Sequence, residues 1–275
     1  MLRRFFRRIS INNNPGWIFI IPSLGLIMLL GLPLLALVWR AVGKDFFTYA
    51  LSPTAISALK LSLLTSTATV LVAIATGTPL AYILARWKFR GKTALELLID
   101  LPVVLPPSVA GLALLIAFGR TGVFGVWLNA IGITLPFTTA AVVMAQTFVS
   151  APLFVGAAHE GFAAIDEQIE EAAIMDGANE WQVFRFVMFP LAGRAFLAGV
   201  ILTWARALGE FGATILFAGN LEGKTQTMPL AIYLGFESSL GIAIALSVML
   251  MVVSIILLGL MRRLERRSTV DTHPE

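Results

Sequence analysis

The chain has 275 residues, of which 58% are hydrophobic and 13% charged, about half the charged share of an ordinary soluble domain. Twenty Lys and Arg and sixteen Asp and Glu cannot clothe a core of this size in water, so the solvent is mostly lipid. This excludes a soluble enzyme, a disordered tail protein and a nucleic-acid binder; the last is excluded despite a pI near 9.8, because the bases cluster beside apolar runs, as juxtamembrane anchors do.

Arg3, Arg4, Arg7 and Arg8 precede an apolar run from Trp17 to Trp39. It is longer than the roughly 7–15 residues of a secretory h-region and lacks a small-x-small cleavage site, so it reads as a retained first transmembrane helix behind a cytoplasmic tail, 1–16. A span needs about 20 apolar residues. The runs at 17–40, 58–85, 94–118, 136–158, 193–217 and 239–261 qualify, and the last includes an uncharged stretch from Ala243 to Leu260. The runs are continuous rather than alternating, which favours helices over a barrel. The expectation is an all-α membrane protein with six transmembrane helices over 17–261 and a C-terminal tail, 262–275.

Lys and Arg divide unequally between the connecting segments. One side holds the N-terminal arginines, Arg86, Lys88, Arg90, Lys92, Arg185, Arg194, Arg262, Arg263, Arg266 and Arg267; the other holds Arg40, Lys44, Lys60, Arg120 and Lys224. This asymmetry predicts both termini in the cytoplasm of a multi-pass protein in the cytoplasmic membrane.

The third span contains Pro102, Pro106 and Pro107, followed by Ser108. Each proline removes a backbone donor and clashes with the preceding turn, so a broken or kinked helix is expected, packed on protein or lining a water-filled cavity. It either shapes packing or lines a pathway, as broken helices do in transporters. Glu96 and Asp100 open this span and are expected to neutralise Arg86, Lys88 or Arg90.

Residues 159–192 are too long for a structureless loop, and their pattern is helical. Asp166 is placed to cap a helix from Glu167. Phe162, Ile165, Ile169, Ala172 and Ala173 form its apolar edge, and Gly177 ends it in the left-handed conformation. Asn179 and Gln182 make a capping box for a second helix, with Trp181, Phe184 and Val187 as its apolar face and Pro190 as its break. The seven acids Glu160, Asp166, Glu167, Glu170, Glu171, Asp176 and Glu180 suit a basic groove on a protein partner rather than anionic lipid.

The fifth span carries Arg206 and Glu210, four apart and so on one helix face. Charges at this depth find a partner or face water. The two either brace the bundle as an ion pair or leave Arg206 to favour an anion near a pathway. Gly209 and Gly212 allow close helix packing there. The Gly-Lys-Thr at 223–225 lacks the leading glycine and the strand–helix context of a P-loop and reads as an outer-loop surface.

Glu171-Ala172-Ala173, three residues, Gly177, nine residues, then Val187-Met188-Phe189-Pro190 resembles the EAA motif of ABC importer permeases, with Val187 and Phe189 as conservative departures. Leu101 to Gly111, Ala205 to Thr214, and the run through Ala218-Gly219-Asn220, Gly223-Lys224-Thr225 and Pro229-Leu230 are similar to the molybdate branch, shared more loosely with sulfate and tungstate permeases. The resemblance covers about residues 55–260. It implies a type I importer permease fold in which residues 159–192 carry a coupling helix. Glu170, Glu171, Ala172, Ala173, Asp176, Gly177 and Pro190 would serve contact with a cytoplasmic ATPase dimer. It also implies a second permease copy, most simply identical, and an extracytoplasmic oxyanion-binding protein. ATP and Mg would sit on the partner ATPase, with no cofactor or metal on this chain and no nucleic-acid partner. Pro102, Pro106, Pro107, Ser108, Arg206 and Glu210 are then candidates for the pathway or its brace.

Two other classes are weighed. A membrane-embedded enzyme needs a nucleophile with its base, or a metal set such as His-Glu-x-x-His. The chain has no Cys and only His159 and His273. An ion-coupled carrier often shows paired broken helices, and only one proline-broken span stands out in the sequence.

Overall fold

The computed structural model describes residues 16–43 and 45–270. The expected tail at 1–15 and residues 271–275, with Arg3, Arg4, Arg7, Arg8, Lys44 and His273, lie outside the described residues, as do the side chains of Arg266 and Arg267. Every regular element among the described residues is helical.

The chain opens with α1 (Gly16–Ala41), the short α2 (Phe46–Ala50) and the long α3 (Pro53–Arg86). α3 begins ahead of the expected 58 because Ser52 caps it, accepting the Ala55 N–H at 3.3 Å, and Pro53 fills the first helical position, where a missing N–H is harmless. Then come α4 (Lys92–Val104) and α5 (Pro107–Phe118), the short α6 (Gly125–Ala130), and α7 (Thr139–Ala163). Thr138 caps α7 by accepting from the Ala141 N–H. The 159–192 connection holds α8 (Glu167–Met175), α9 (Glu180–Gln182), a π-helical stretch at Val183–Met188, and α10 (Phe189–Leu191). α11 (Gly193–Leu208), α12 (Gly212–Phe217), α13 (Met228–Ser238) and α14 (Leu240–Val270) complete the fold.

Four helices, α1, α3, α7 and α14, are each long and apolar enough to cross a membrane. Counting two bent pairs, α4 with α5 at 116° and Glu180–Leu191 with α11 at 70°, the number reaches six.

The bundle is centred on α3, α7 and α11. Glycines set how closely these helices approach. A side chain at Gly77 would meet Phe154 at 2.9 Å, and one at Gly199 would meet Ala157 at 3.1 Å. α3 carries a buried polar stripe, Ser62, Thr65, Ser66 and Thr69, parts of which make cross-helix hydrogen bonds. Thr69 donates to Gln146 Oε1 at 3.1 Å, and Ser66 accepts from Trp204 Nε1 at 2.7 Å. Hydroxyls in this role are affordable in lipid because the alternative is an unpaired polar group. α1 lies outside this core, exposed along nearly its whole described face.

Three expectations are corrected here. The fifth span is not one helix over 193–217 but α11 and α12 separated at Gly209–Phe211. The connection after 218 is not all outer surface. Met228 is buried and its N–H donates to Ser62 Oγ at 2.7 Å, so the segment dips into the bundle before α13 leads back toward α14. Pro190 does not break its helix; it lies within α10, and the chain turns at Ala192. The π-helical stretch just upstream explains the tolerance. The Phe189 N–H donates five residues back to Phe184, in a register that accommodates a proline's missing i−4 bond.

Candidate functional site: an exposed surface helix and two facing breaks

The surface helix is built by local chemistry. Asp166 accepts the Gln168 N–H at 3.0 Å and starts α8. At its end the Ala178 N–H donates to Ala173 O at 3.1 Å and the Gly177 N–H to Ile174 O at 2.9 Å. That pair of bonds closes a Schellman turn, and Gly177 supplies its left-handed residue at φ 90°. Asn179 and Gln182 then form the reciprocal box, at 2.9 and 2.8 Å. No residue of α8 is buried. Glu171, Ala172, Asp176 and Gly177 are exposed, as are Ile169, Ile174 and Met175, the last at 85%. α8 thus presents an uncovered surface that is both apolar and acidic.

Two expected members of the docking set behave differently. Ala173 is half-buried on the inner face of α8. Glu170 turns inward: its Oε2 lies 2.9 Å from Arg86 Nε and its Oε1 accepts from the Tyr82 hydroxyl at 3.0 Å. Arg86 also donates through Nη2 to Ile165 O at 3.0 Å. Arg86 was expected to serve Glu96 or Asp100; instead Glu96 pairs with Lys92 at 3.8 Å. The apolar face of the second helix shifts as well, because π-helical winding changes the period. Val183 and Met188 are the buried residues, Trp181 is exposed, and Phe184 packs edge-on to Tyr82.

The second region joins the two interrupted spans. Leu105 and Pro106 each precede a proline and are held extended, at ψ 138° and 134°, as the ring of the next residue requires. The Pro106–Pro107 pair therefore makes the break, whereas Pro102 is accommodated inside α4. Pro106, Pro107 and Ser108 are exposed and Pro102 is buried. Against this break stands the one in the fifth span. A side chain on Gly212 would come within 2.7 Å of Pro107 Cβ, and one on Gly111 within 2.9 Å of Ala213 Cα. The two interruptions are thus packed together through glycine. Gly209, by contrast, is exposed and marks the end of α11.

Glu210 holds this junction. It is 1% exposed; one carboxylate oxygen accepts the Ala213 N–H at 2.7 Å and the other pairs with Arg206 Nη1 at 2.5 Å. The first bond satisfies an N–H that the start of α12 leaves without an intrahelical partner. The second keeps a buried carboxylate from standing alone. Arg206 keeps a third of its side chain exposed. Sequence reasoning found the pair but missed the second break; Gly209 and Gly212 around a buried acid were its only signal.

The Gly-Lys-Thr at 223–225 closes a turn on itself. Thr225 Oγ1 accepts the Leu221 N–H at 2.9 Å, and the Lys224 carbonyl accepts from Thr139 at 2.9 Å.

A helical bundle with interrupted spans and a capped, uncovered surface helix is the architecture of a transport permease. Residues 77–270 match the family of binding-protein-dependent transport system inner membrane components, and the chain belongs to that family: it is a type I ABC importer permease and a transport subunit. It is 41% identical over 246 residues to the molybdenum transport system permease protein ModB of Mycobacterium tuberculosis, covering 89% of this chain and 93% of that one. It is 37% identical to the protein of the same name from Escherichia coli K12, covering 76% and 94%. A probable sulfate transport system permease of Chlorokybus atmophyticus is 38% identical over 77% and 75%. A chain of a bacterial ABC transporter involved in the import of the acidic polysaccharide alginate superposes with a TM-score of 0.72 at 18% identity, over 91% and 94%. The inward-facing MetNI methionine transporter gives 0.60 at 16%, over 77% and 94%. These two share the fold.

Proposed function

We propose that the chain is a permease subunit of an ATP-driven importer for a tetrahedral oxyanion, molybdate foremost, working as a pair of identical copies with both termini in the cytoplasm. The observation that carries the substrate is the 41% identity to a molybdenum permease across 89% of the chain. A dianion cannot be desolvated into hydrocarbon, so it crosses by a polar route whose two gates are not open together. An extracytoplasmic binding protein delivers the ion, and a cytoplasmic ATPase dimer, holding ATP and Mg, grips α8. Closure of that dimer rocks the bundles as rigid bodies, and hydrolysis lets them return. The paired breaks at Pro106–Pro107 and Gly209–Phe211 are the flexible points of this chain in that cycle, with Arg206 and Glu210 bracing them.

Reconstitution with the partner ATPase and binding protein tests this. Vanadate-sensitive, ATP-dependent molybdate uptake is expected, with tungstate as a strong competitor and sulfate as a weak one. Preferential sulfate uptake would favour the second reading, which the similarity to the probable sulfate permease supports. Uptake driven by an ion gradient without ATP would replace both. Glu171→Arg, on the exposed face of α8, is expected to strip the ATPase from the purified complex; full ATPase content would remove α8 from the docking role.

A further inference from the structure

The docking helix is weakly attached to the bundle it would have to move. No residue of α8 is buried. Half-buried residues such as Ala173 pack against the core, but α8 as a whole lies chiefly on the π-helical stretch Val183–Met188 rather than on any long helix. A direct polar link from α8 to a core helix is the Glu170 carboxylate: Oε1 accepts from the Tyr82 hydroxyl at 3.0 Å, and Oε2 forms an ion pair with Arg86, 2.9 Å from its Nε. Tyr82 and Arg86 are four apart, hence on one face of α3. The side chains of Arg86 and Glu170 are only 10% and 20% exposed, so water screens this pair little. Arg86 reaches on to Ile165 O, which fixes the chain entering α8, and its Nη2 lies 3.7 Å from Met188 Sδ in the π-helical stretch. One guanidinium therefore contacts the start of the loop, α8 and the second helix together. Such planar, multi-donor geometry is what arginine provides and lysine does not.

We propose that Tyr82, Arg86 and Glu170 form a strut through which movement of the coupling helix enters α3, so that they are positioning residues for transport rather than contacts for the ATPase. This rests on the proposal that α8 docks the ATPase. A strut transmits displacement without supplying binding surface, so breaking it separates ATP hydrolysis from transport while the complex stays assembled.

The test uses the full reconstituted transporter with its ATPase and binding protein, comparing Glu170→Gln, Arg86→Gln, the double variant, Tyr82→Phe and the exchanged pair Arg86→Glu with Glu170→Arg. In Glu170→Gln and Arg86→Gln the ATPase content should stay full, and substrate imported per ATP should fall about ten-fold, within the range typical of coupling between sites. The double variant should be no worse than either single one, because all three break one link. The exchanged pair should recover part of the ratio. Tyr82→Phe, which removes one hydroxyl, should lower the ratio about two-fold, and it supplies the reading if the charge variants fail to accumulate. Uptake and hydrolysis falling in parallel, an unchanged ratio, or additive losses in the double variant would overturn the strut. Loss of the ATPase from Glu170→Gln would reassign Glu170 to the docking surface. Retention of the ATPase by Glu171→Arg would instead sink the docking reading itself.

Discussion

The loop from Asp166 to Pro190 and the breaks at Leu105–Pro107 and Gly209–Phe211 both depart from a bundle of six straight rods, yet they are secured in opposite ways. The loop is shaped by bonds between close sequence neighbours: Asp166 to Gln168, Ala178 to Ala173, Asn179 to Gln182. The breaks are secured by each other, through Gly111 on Ala213 and Gly212 on Pro107. A locally shaped element keeps its form when its surroundings move, which suits a handle. An element held in place by a distant contact shifts when that contact changes, which suits a moving part.

The largest expected effect follows from that contact. At Gly111 an added Cβ would lie 2.9 Å from both Ala213 Cα and Ala213 O, and from Leu216 Cβ. Two of these atoms are backbone and cannot rotate away. Gly111→Leu should therefore separate α5 from α12 and cost about 3 kcal/mol, the upper end for overpacking. Thermal unfolding in detergent checks this, and uptake should fall with stability. A variant of wild-type stability would mean the breaks are held by something other than this contact.

Next in size is the brace. Glu210→Ala removes the acceptor for the Ala213 N–H and strips Arg206 of its partner. Breaking a well-buried pair costs about 3–5 kcal/mol, but Arg206 is one-third exposed and finds water, so about 2 kcal/mol is the better figure. Arg206→Ala leaves Glu210 buried and should lower uptake at normal membrane levels; unchanged uptake would dismiss both the brace and any service to the anion. Glu210→Gln separates the effects. Its amide oxygen keeps the cap on α12 while its NH2 group cannot accept from Arg206, so it loses the ion pair but not the cap and should be the milder variant by unfolding midpoint.

The same contrast decides what was legible in the sequence. The caps at Asp166 and Asn179 and the turn at Gly177 were readable because every partner lies within a few residues, where residue type and spacing are the geometry. The Pro106–Pro107 break was readable for the same reason. The break at Gly209 was not: the charges Arg206 and Glu210 and the glycines Gly209 and Gly212 mark the place, but the packing of Gly212 against Pro107 of α5, far away in sequence, is not readable from them. The orientation of Glu170 was hidden for a related reason. Its place in the sequence groups it with Glu171 among the acids of the loop, and only the tertiary position of Tyr82 and Arg86 on α3 turns it inward. The π-helical register before Pro190 likewise moved burial to Val183 and Met188, because a period of 3.6 no longer applied.

The smallest effect sharpens the comparison from the local side. Gly177 sits at φ 90°, and a Cβ added there would meet nothing within 4 Å. Space is therefore free, and the cost of substitution is backbone strain alone. For a β-branched residue in the left-handed region that is about 1–2 kcal/mol, confined to one turn. Gly177→Val should accordingly leave the unfolding midpoint of the bundle nearly unchanged. Transport should nevertheless fall, as the Schellman turn opens and α8 loses its fixed angle to α9. Gly177→Asn is the decisive companion, because asparagine tolerates positive φ while adding more bulk than alanine. Near-normal transport by the Asn variant beside an impaired Val variant would trace the effect to backbone conformation. Equal impairment would mean that the outer surface at 177 matters for contact with a partner, and that the bend is not what this glycine contributes.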